Sequence, residues 1–333
     1  MTIPALRELR RLFPGASITL HTRAWAKGIF QDSDLIDEIL VFERETRLSD
    51  LLRQARILRE KRFDLGIIFP NSFVSALMLR LGCVSRRFGF AKEGRGFLLT
   101  DPVRLPDWKN DRHEVFYYLN LIDEVEKRTL GTDTVALAEP CSDLHISDER
   151  KQTAGRILAE SGIEPGRKVV ALGVGSTNSL AKRWGAERYA RLNDLLQSEL
   201  NAAVVLVGGR EEVGVANQVV GLSRCKPTVL TGKTDLGQAT SILSVVDLLI
   251  SNDMGLAHIA PATGTKTLVI FGPTNPRTTR PFSENGIVVR KDVECSPCML
   301  PECPIDHRCM EWISVEEVFE KAASLLSDGR LYE

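Results

Sequence analysis

No stretch of this 333-residue chain is both long and apolar enough to cross a bilayer. The longest apolar runs, 202–209 and 245–250, fall well short of the roughly 20 residues a spanning helix needs. No signal-peptide pattern opens the chain either, so a cytoplasmic location is expected. An excess of one charge is also missing: 43 Lys and Arg against 44 Asp and Glu leave a formal charge of -1. Nucleic acid is therefore not an expected partner, although local basic patches remain compatible with peripheral contact at a membrane surface. G-x-G-x-x-G, a lysine-bearing P-loop and a G-x-S-x-G elbow are all absent, which takes weight from NAD-dependent, ATPase and hydrolase readings.

With 43% apolar and 26% charged residues, the composition is that of a folded globular protein, and the length suits two domains with a core each. The pattern along the chain alternates between strand and helix. A helix is predicted over 3–13, with Thr2 as N-cap, Pro4 in the first turn and Pro14-Gly15 closing it. Strands at 17–21 and 38–42 follow, then a helix over 49–60 with Leu51, Leu52, Ala55 and Leu58 on one face, a strand at 64–69 and a helix over 72–81. Residues 101–111 read as polar turns, 113–125 as a helix and 127–145 as the link, with the boundary near 140–148.

The second half gives helices over 148–161, 186–200, 211–222, 236–244, 256–262 and 315–326, between strands at 168–172, 202–207, 227–230, 247–251 and 267–271. This is α/β alternation of the doubly wound parallel type, in tandem. The expected division is 1–145 and 146–333, the latter with a cysteine-rich loop at 295–309 and a late helix returning toward the first domain. The helix over 3–13 has no strand ahead of it; a first strand is expected upstream of Met1, the alternative being a domain that begins with a helix.

In open parallel sheets, ligands bind where strands end. Three such ends are candidates. Gly173 to Asn178, with Lys182 beyond, offers small residues, the hydroxyls of Ser176 and Thr177, and a cation for phosphate; the alternative is a glycine-rich turn before a solvated basic pair. Ser251 to His258 places Gly255 at a helix start just after a strand, where unpaired backbone N–H groups favour an anion. Asp253 there is either a sugar-hydroxyl acceptor or a helix cap, and His258 either faces the ligand or is structural. The Gly272-Pro273-Thr274-Asn275 turn is the weakest of the three. Gly208-Gly209 is a further close-approach turn.

Cys295, Cys298, Cys303 and Cys309 are spaced C-x2-C-x4-C-x5-C around His307; a metal site, a labile disulfide and reduced thiols are all open readings. Arg86, Arg87, Lys92 and Arg95, interleaved with glycines, form either an anionic-acceptor patch or a solvated loop.

The strings TIPALRELRRLFPGASI, GVGSTNSLAKRW, SNDMGLAHIAPATGTKTLVIFGPTNP and CSPCMLPECPIDHRCM together resemble the ADP-heptose:lipopolysaccharide heptosyltransferases of glycosyltransferase family 9, most of all heptosyltransferase II. The resemblance implies a GT-B architecture, two Rossmann-like domains facing a cleft, with the nucleotide-sugar donor on the C-terminal one and a lipid-linked acceptor on the other. It implies donor contacts from Ser176, Thr177, Lys182, Asp253, Met254, Gly255, Leu256 and His258, with no cofactor. The partners implied are ADP-heptose and the lipopolysaccharide inner core at the inner face of the inner membrane, with the protein a monomer. It also implies a general-base aspartate in a Gly-Asp pair, which would fall upstream of Met1, so no catalytic residue is assigned within the chain. A start codon placed too late, or a shortened chain, is the expected reason for that gap, and the competing reading is that this is the true product. The alternatives are a donor-binding protein without catalysis and a transferase for another surface glycan.

Overall fold

The computed structural model describes residues 1–42, 47–176 and 179–327. The chain divides into two compact units, Met1–Lys27 with Asp34–Ser142, and Gly28–Ser33 with Asp143–Glu333. The expected boundary therefore shifts by a few residues, and a short piece of the first half belongs to the second unit. Asp32 explains the exchange: it accepts hydrogen bonds from the Ser147 backbone N–H at 2.8 Å and from Arg150 at 3.2 Å. Arg150 also donates to the Gly237 carbonyl at 2.7 Å, and Gly28 lies so close to Gly237 that a Cβ on it would stand 2.5 Å from the Gly237 Cα. Only glycine permits that backbone contact.

Among the described residues of the first unit, five strands form two separate parallel sheets. β1 (Thr19–Arg23) pairs β2 (Glu38–Phe42) from Thr19 opposite Glu38. β3 (Leu65–Ile68), β4 (Arg86–Phe90) and β5 (Asp101–Val103) form the other. Two of these strands lie where loops are predicted, because Arg-Arg-Phe-Gly-Phe and Asp-Pro-Val carry charge and turn formers rather than an apolar run. Helix Ile3–Leu12 matches the expectation, although Thr2 makes no side-chain cap bond. Helix Leu48–Lys61 buries Leu51, Ala55 and Leu58 but leaves Leu52 half exposed, so Leu52 lies at the edge of the stripe rather than in it. Phe90 stacks on Tyr117 of helix Glu114–Thr129 with ring centroids 4.1 Å apart, at the centre of this unit's core.

Among its described residues the second unit holds one six-stranded parallel sheet, in the order β11-β10-β9-β6-β7-β8. Its strands are β6 (Val169–Gly173), β7 (Ala203–Leu206), β8 (Thr228–Val229), β9 (Leu248–Asn252), β10 (Lys266–Ile270) and β11 (Gly286–Val289). Side chains alternate between two buried faces. Val170, Leu172, Val204, Leu206, Leu248 and Ile250 pack with helices Ala186–Leu200 and Val315–Ser327, while Val169, Ala171, Val205 and Leu249 pack with helices Asp148–Glu160 and Leu236–Leu243. Burial on both faces is why these strands read as continuous apolar runs. The late helix joins this core through Val318 and Ala322. Among the described residues no helix is long and apolar enough to cross a membrane.

Candidate functional site

The strand order of the second unit reverses between β6 and β9, which are direct neighbours with Gly173 opposite Ser251. Chains leave such a switch point in opposite directions, so a crevice opens beyond the two carboxyl ends. Both of the stronger sequence candidates, the loop after Gly173 and the loop after Asn252, start there.

Asn252 fixes the two loops to each other. Its side chain is fully buried, donates to the carbonyls of Val174 at 3.1 Å and Gly175 at 3.0 Å, and accepts from the Trp184 backbone N–H at 3.2 Å and the Tyr189 hydroxyl at 3.0 Å. All four hydrogen-bonding positions of the amide are used, which a buried amide requires.

Beyond it, Asp253 is 5% exposed, and its Oδ2 accepts from Lys182 Nζ at 2.9 Å and from the Thr274 hydroxyl at 2.8 Å. One carboxylate thus joins all three strand-end segments that the sequence singled out. A buried carboxylate alone would repel an anionic ligand; the Lys182 ammonium neutralises it. The Lys182 side chain is 27% exposed against 6% for Asp253, so the cation faces the open side of the pair. Of its three N–H groups one is used by Oδ2 and a second approaches the Asp253 carbonyl at 3.5 Å, which leaves donor capacity for a ligand oxygen.

Helix Gly255–Ala262 starts two residues after Asp253, with Met254 as N-cap and no side-chain cap bond. The cap role weighed for Asp253 therefore falls away, since its carboxylate turns to Lys182 and Thr274. The Ala257 N–H donates to the Met254 carbonyl at 3.1 Å, so it is the Gly255 and Leu256 N–H groups that water or a ligand would satisfy. Gly255 is exposed, Met254 and His258 are half-buried, and Leu256 is buried in the apolar core, so only its backbone can face a ligand. Ser176 is buried and its carbonyl accepts from Arg183 at 3.1 Å. Thr177 lies outside the described residues. Asn275 caps helix Pro276–Thr279, accepting from the Arg277 N–H at 3.0 Å, which is a structural duty.

The structure adds a residue the sequence reading missed. Glu212 is 3% exposed, its Oε2 accepts from the Gly209 N–H at 2.8 Å, and its buried Oε1 has no partner. A Cβ on Gly175 would fall 2.1 Å from that Oε1, so glycine is what leaves room for the carboxylate beside the loop after Gly173. Burial raises its pKa, against the lowering effects of the Gly209 N–H and the Arg183 charge. The Gly208-Gly209 pair was the one available signal.

The predicted basic patch of the first unit is dispersed. Arg86 pairs with Asp101 at 2.6 Å, and Arg87 donates to the carbonyls of Leu98 at 2.9 Å and Val84 at 2.6 Å. Arg95 is fully buried, with its guanidinium on the carbonyls of Phe90, Pro70 and Ser72 and on Asn71 Oδ1. It stitches a loop to the sheet and cannot reach an acceptor. Lys92 is exposed. The four clustered cysteines are unbridged, and among the described residues no group of three or more His, Cys, Asp and Glu is placed to hold a metal ion. Burial, and then the neighbouring Cys295, Cys298 and Cys303, push the Cys309 thiol up to about 11.

The profile of glycosyltransferase family 9 (heptosyltransferase) matches residues 51–308. A lipooligosaccharide heptosyltransferase 2 from Campylobacter jejuni is 27% identical over 99% of this chain and 95% of its own length. The lipopolysaccharide heptosyltransferase 2 of Escherichia coli K12 is 28% identical over 85% of this chain and 82% of its own. The solved structure of the E. coli ADP-heptose lipopolysaccharide heptosyltransferase II superposes with a TM-score of 0.83 at 26% identity, covering 98% of this chain and 94% of that one. With the profile spanning most of the chain and the two Rossmann-like parallel-sheet units of the GT-B class in place, the chain belongs to glycosyltransferase family 9, the heptosyltransferases.

Proposed function

We propose that the chain transfers heptose from ADP-L-glycero-D-manno-heptose to the inner core of lipopolysaccharide by a single inverting displacement. The observation that carries this reading is the convergence of Lys182 and Thr274 on Asp253 beside an uncapped helix start at a switch point. The names of the similar proteins support ADP-heptose as donor and a lipopolysaccharide or lipooligosaccharide as acceptor.

In this reading the donor diphosphate lies against the first turn of helix Gly255–Ala262, with Lys182 taking one of its oxygens and Ser176 and His258 at the flanks. The unpartnered Glu212 Oε1 accepts from a hydroxyl of the donor, and the second Asp253 oxygen from a heptose hydroxyl. An acceptor hydroxyl attacks the anomeric carbon; the new C–O bond forms as the bond to ADP breaks, and the proton leaves to a carboxylate base, a role assigned to none of the site residues above. The negative charge that grows on ADP is met by the Lys182 ammonium and the helix N–H groups, donors already in place before the reaction. The lipid-linked acceptor is assigned to the first unit, at a membrane surface.

Calorimetry with ADP tests the donor grip. Lys182→Ala should weaken binding roughly tenfold or more, the loss of a charge-assisted hydrogen bond to phosphate. Asp253→Asn alongside it prevents a buried charge from being stranded. Affinity equal to that of the unaltered protein would remove the phosphate role, and transfer from other activated sugars as fast as from ADP-heptose would remove the choice of donor.

A further inference from the structure

The cysteine-rich segment takes no part in the proposed displacement, yet it is tied to both loops that supply the partners of Asp253. On the Lys182 side, the Ala181 N–H and the Ser179 hydroxyl both donate to the Pro301 carbonyl at 3.0 Å, and His307 Nε2 donates to the Ala181 carbonyl at 2.6 Å. The peptide group preceding Lys182 is thus fixed by His307, with Pro301 held one peptide earlier. On the Thr274 side, the Met299 N–H donates to the Pro273 carbonyl at 2.8 Å and the Ser296 hydroxyl to the Gly272 carbonyl at 2.6 Å. Gly272 itself is backed by Met310 and Cys309, whose sulfur atoms would lie 2.4 and 3.2 Å from a Cβ placed on it.

We infer that residues 295–309 form a brace that sets Lys182 and Thr274 on Asp253, and that His307 is the positioning residue through which the brace holds Lys182. This deepens the donor-site reading above and rests on it.

Three features support the assignment. His307 has φ 56°, in the left-handed region that a side-chain-bearing residue rarely enters, and this turn aims its ring at Ala181 while its own N–H donates to Cys303 Sγ at 3.3 Å. The short 3-10 turn Leu180–Lys182 has no side-chain cap bond of its own, so beyond its internal backbone bonds from Lys182 to Ser179 and from Arg183 to Leu180, the contacts to Pro301 and His307 are what tie it to the cysteine-rich segment. Lysine also has four rotatable side-chain bonds, and a fixed backbone reduces the orientations its ammonium must give up to sit at a phosphate. His307 touches no ligand in this account; it acts only through the peptide ahead of Lys182.

The test is a double-mutant cycle on ADP binding, read by calorimetry on the whole chain. His307→Ala should weaken ADP roughly three- to tenfold, the range of one lost hydrogen bond, and leave adenosine affinity unchanged. His307→Gln, which carries an amide N–H, should recover most of the loss. In a Lys182→Ala background His307→Ala should add nothing, since its effect passes through Lys182. Ser179→Ala gives an independent and milder release of the same turn, and serves if His307→Ala fails to fold. Equal losses for ADP and adenosine, or full additivity with Lys182→Ala, would reduce the brace to general stability and overturn the inference. If the unaltered protein does not bind ADP, the donor reading falls first and this inference with it. If ADP binds and Lys182→Ala weakens it while the His307 and Ser179 variants do not, the positioning inference alone is overturned.

Discussion

The two units are built from the same kind of element, parallel strands with covering helices, but they keep their polar groups differently. In the second unit, strands β6, β7 and β9 are buried along their whole length, and the key polar side chain among them, Asn252, has every hydrogen-bonding position taken by the loops it joins. In the first unit, β1 is only half-buried throughout, the strands fall into two sheets, and order depends on polar residues that tie loops down. Arg95 holds three backbone carbonyls. Glu126, also fully buried, accepts from Thr132, from the Thr134 hydroxyl and backbone, and from the Val135 N–H. One unit is held mainly by an apolar sheet, with its polar network at the carboxyl ends of the strands; the other uses buried charge to hold its loops.

Breaking each network should therefore affect its own unit. Asn252→Ala should cost the second unit about 3–4 kcal/mol in chemical denaturation, since it strands buried groups on four partners. The first unit's transition should stay in place, and joint movement of the two would break the contrast. Arg95→Met should cost the first unit about 2–3 kcal/mol by leaving buried carbonyls unpaired, without change in ADP affinity. A drop in ADP binding would mean that Arg95 does more than tie a loop.

Glu126→Gln sharpens the contrast through pH. Burial alone would raise this carboxyl, but the bonds from Thr134, Thr132 and the Val135 and Thr134 backbone outweigh it and bring the pKa down to about 2. A depressed carboxylate stabilises the fold above the ordinary carboxylate range and loses that contribution as pH falls through about 2. The glutamine variant should be about 1–2 kcal/mol less stable near neutrality, and urea midpoints should converge as the pH approaches 2. A difference constant with pH would show that shape, and not charge, is what matters there. Arg104→Ala gives the floor: its 3.7 Å pair with Asp107 joins two almost fully exposed side chains, and stability should move by less than about 0.5 kcal/mol.

The same contrast decides what could be read from sequence. The second unit's inner strands were visible because burial on both faces demands apolar residues in succession, whereas the edge strand β11, half-buried over most of its length, was missed; the three strand-end segments stood out through glycines and hydroxyls next to the apolar runs. Thr274 looked weak because its role depends on Asp253, 21 residues away, and adjacency of that kind has no local signal. Glu212 was missed for the same reason: a glutamate opening a helix looks like an ordinary first-turn carboxylate until Gly175 is seen to make room for it. In the first unit, β4 hid behind its arginines. Arg86 and Arg87 resemble a solvated patch in sequence, but fold onto Asp101 and nearby carbonyls. Arg95 looked like a surface cation because a buried guanidinium without a carboxylate is rare, and two of the three carbonyls that accept it, those of Pro70 and Ser72, stand 25 and 23 residues earlier.

The segment Gly28–Ser33 limits how the protein can be taken apart. Because it belongs to the second unit while both its neighbours in sequence belong to the first, the polypeptide passes from one unit to the other three times. A single cut near residue 142 would separate Gly237 from the glycine packed on it and Arg150 from Asp32, leaving the C-terminal fragment with an open seam. Exchanging halves with a relative at one junction would mismatch that seam even where each half is sound. A working chimera would have to carry residues 28–33 along with the C-terminal half they serve.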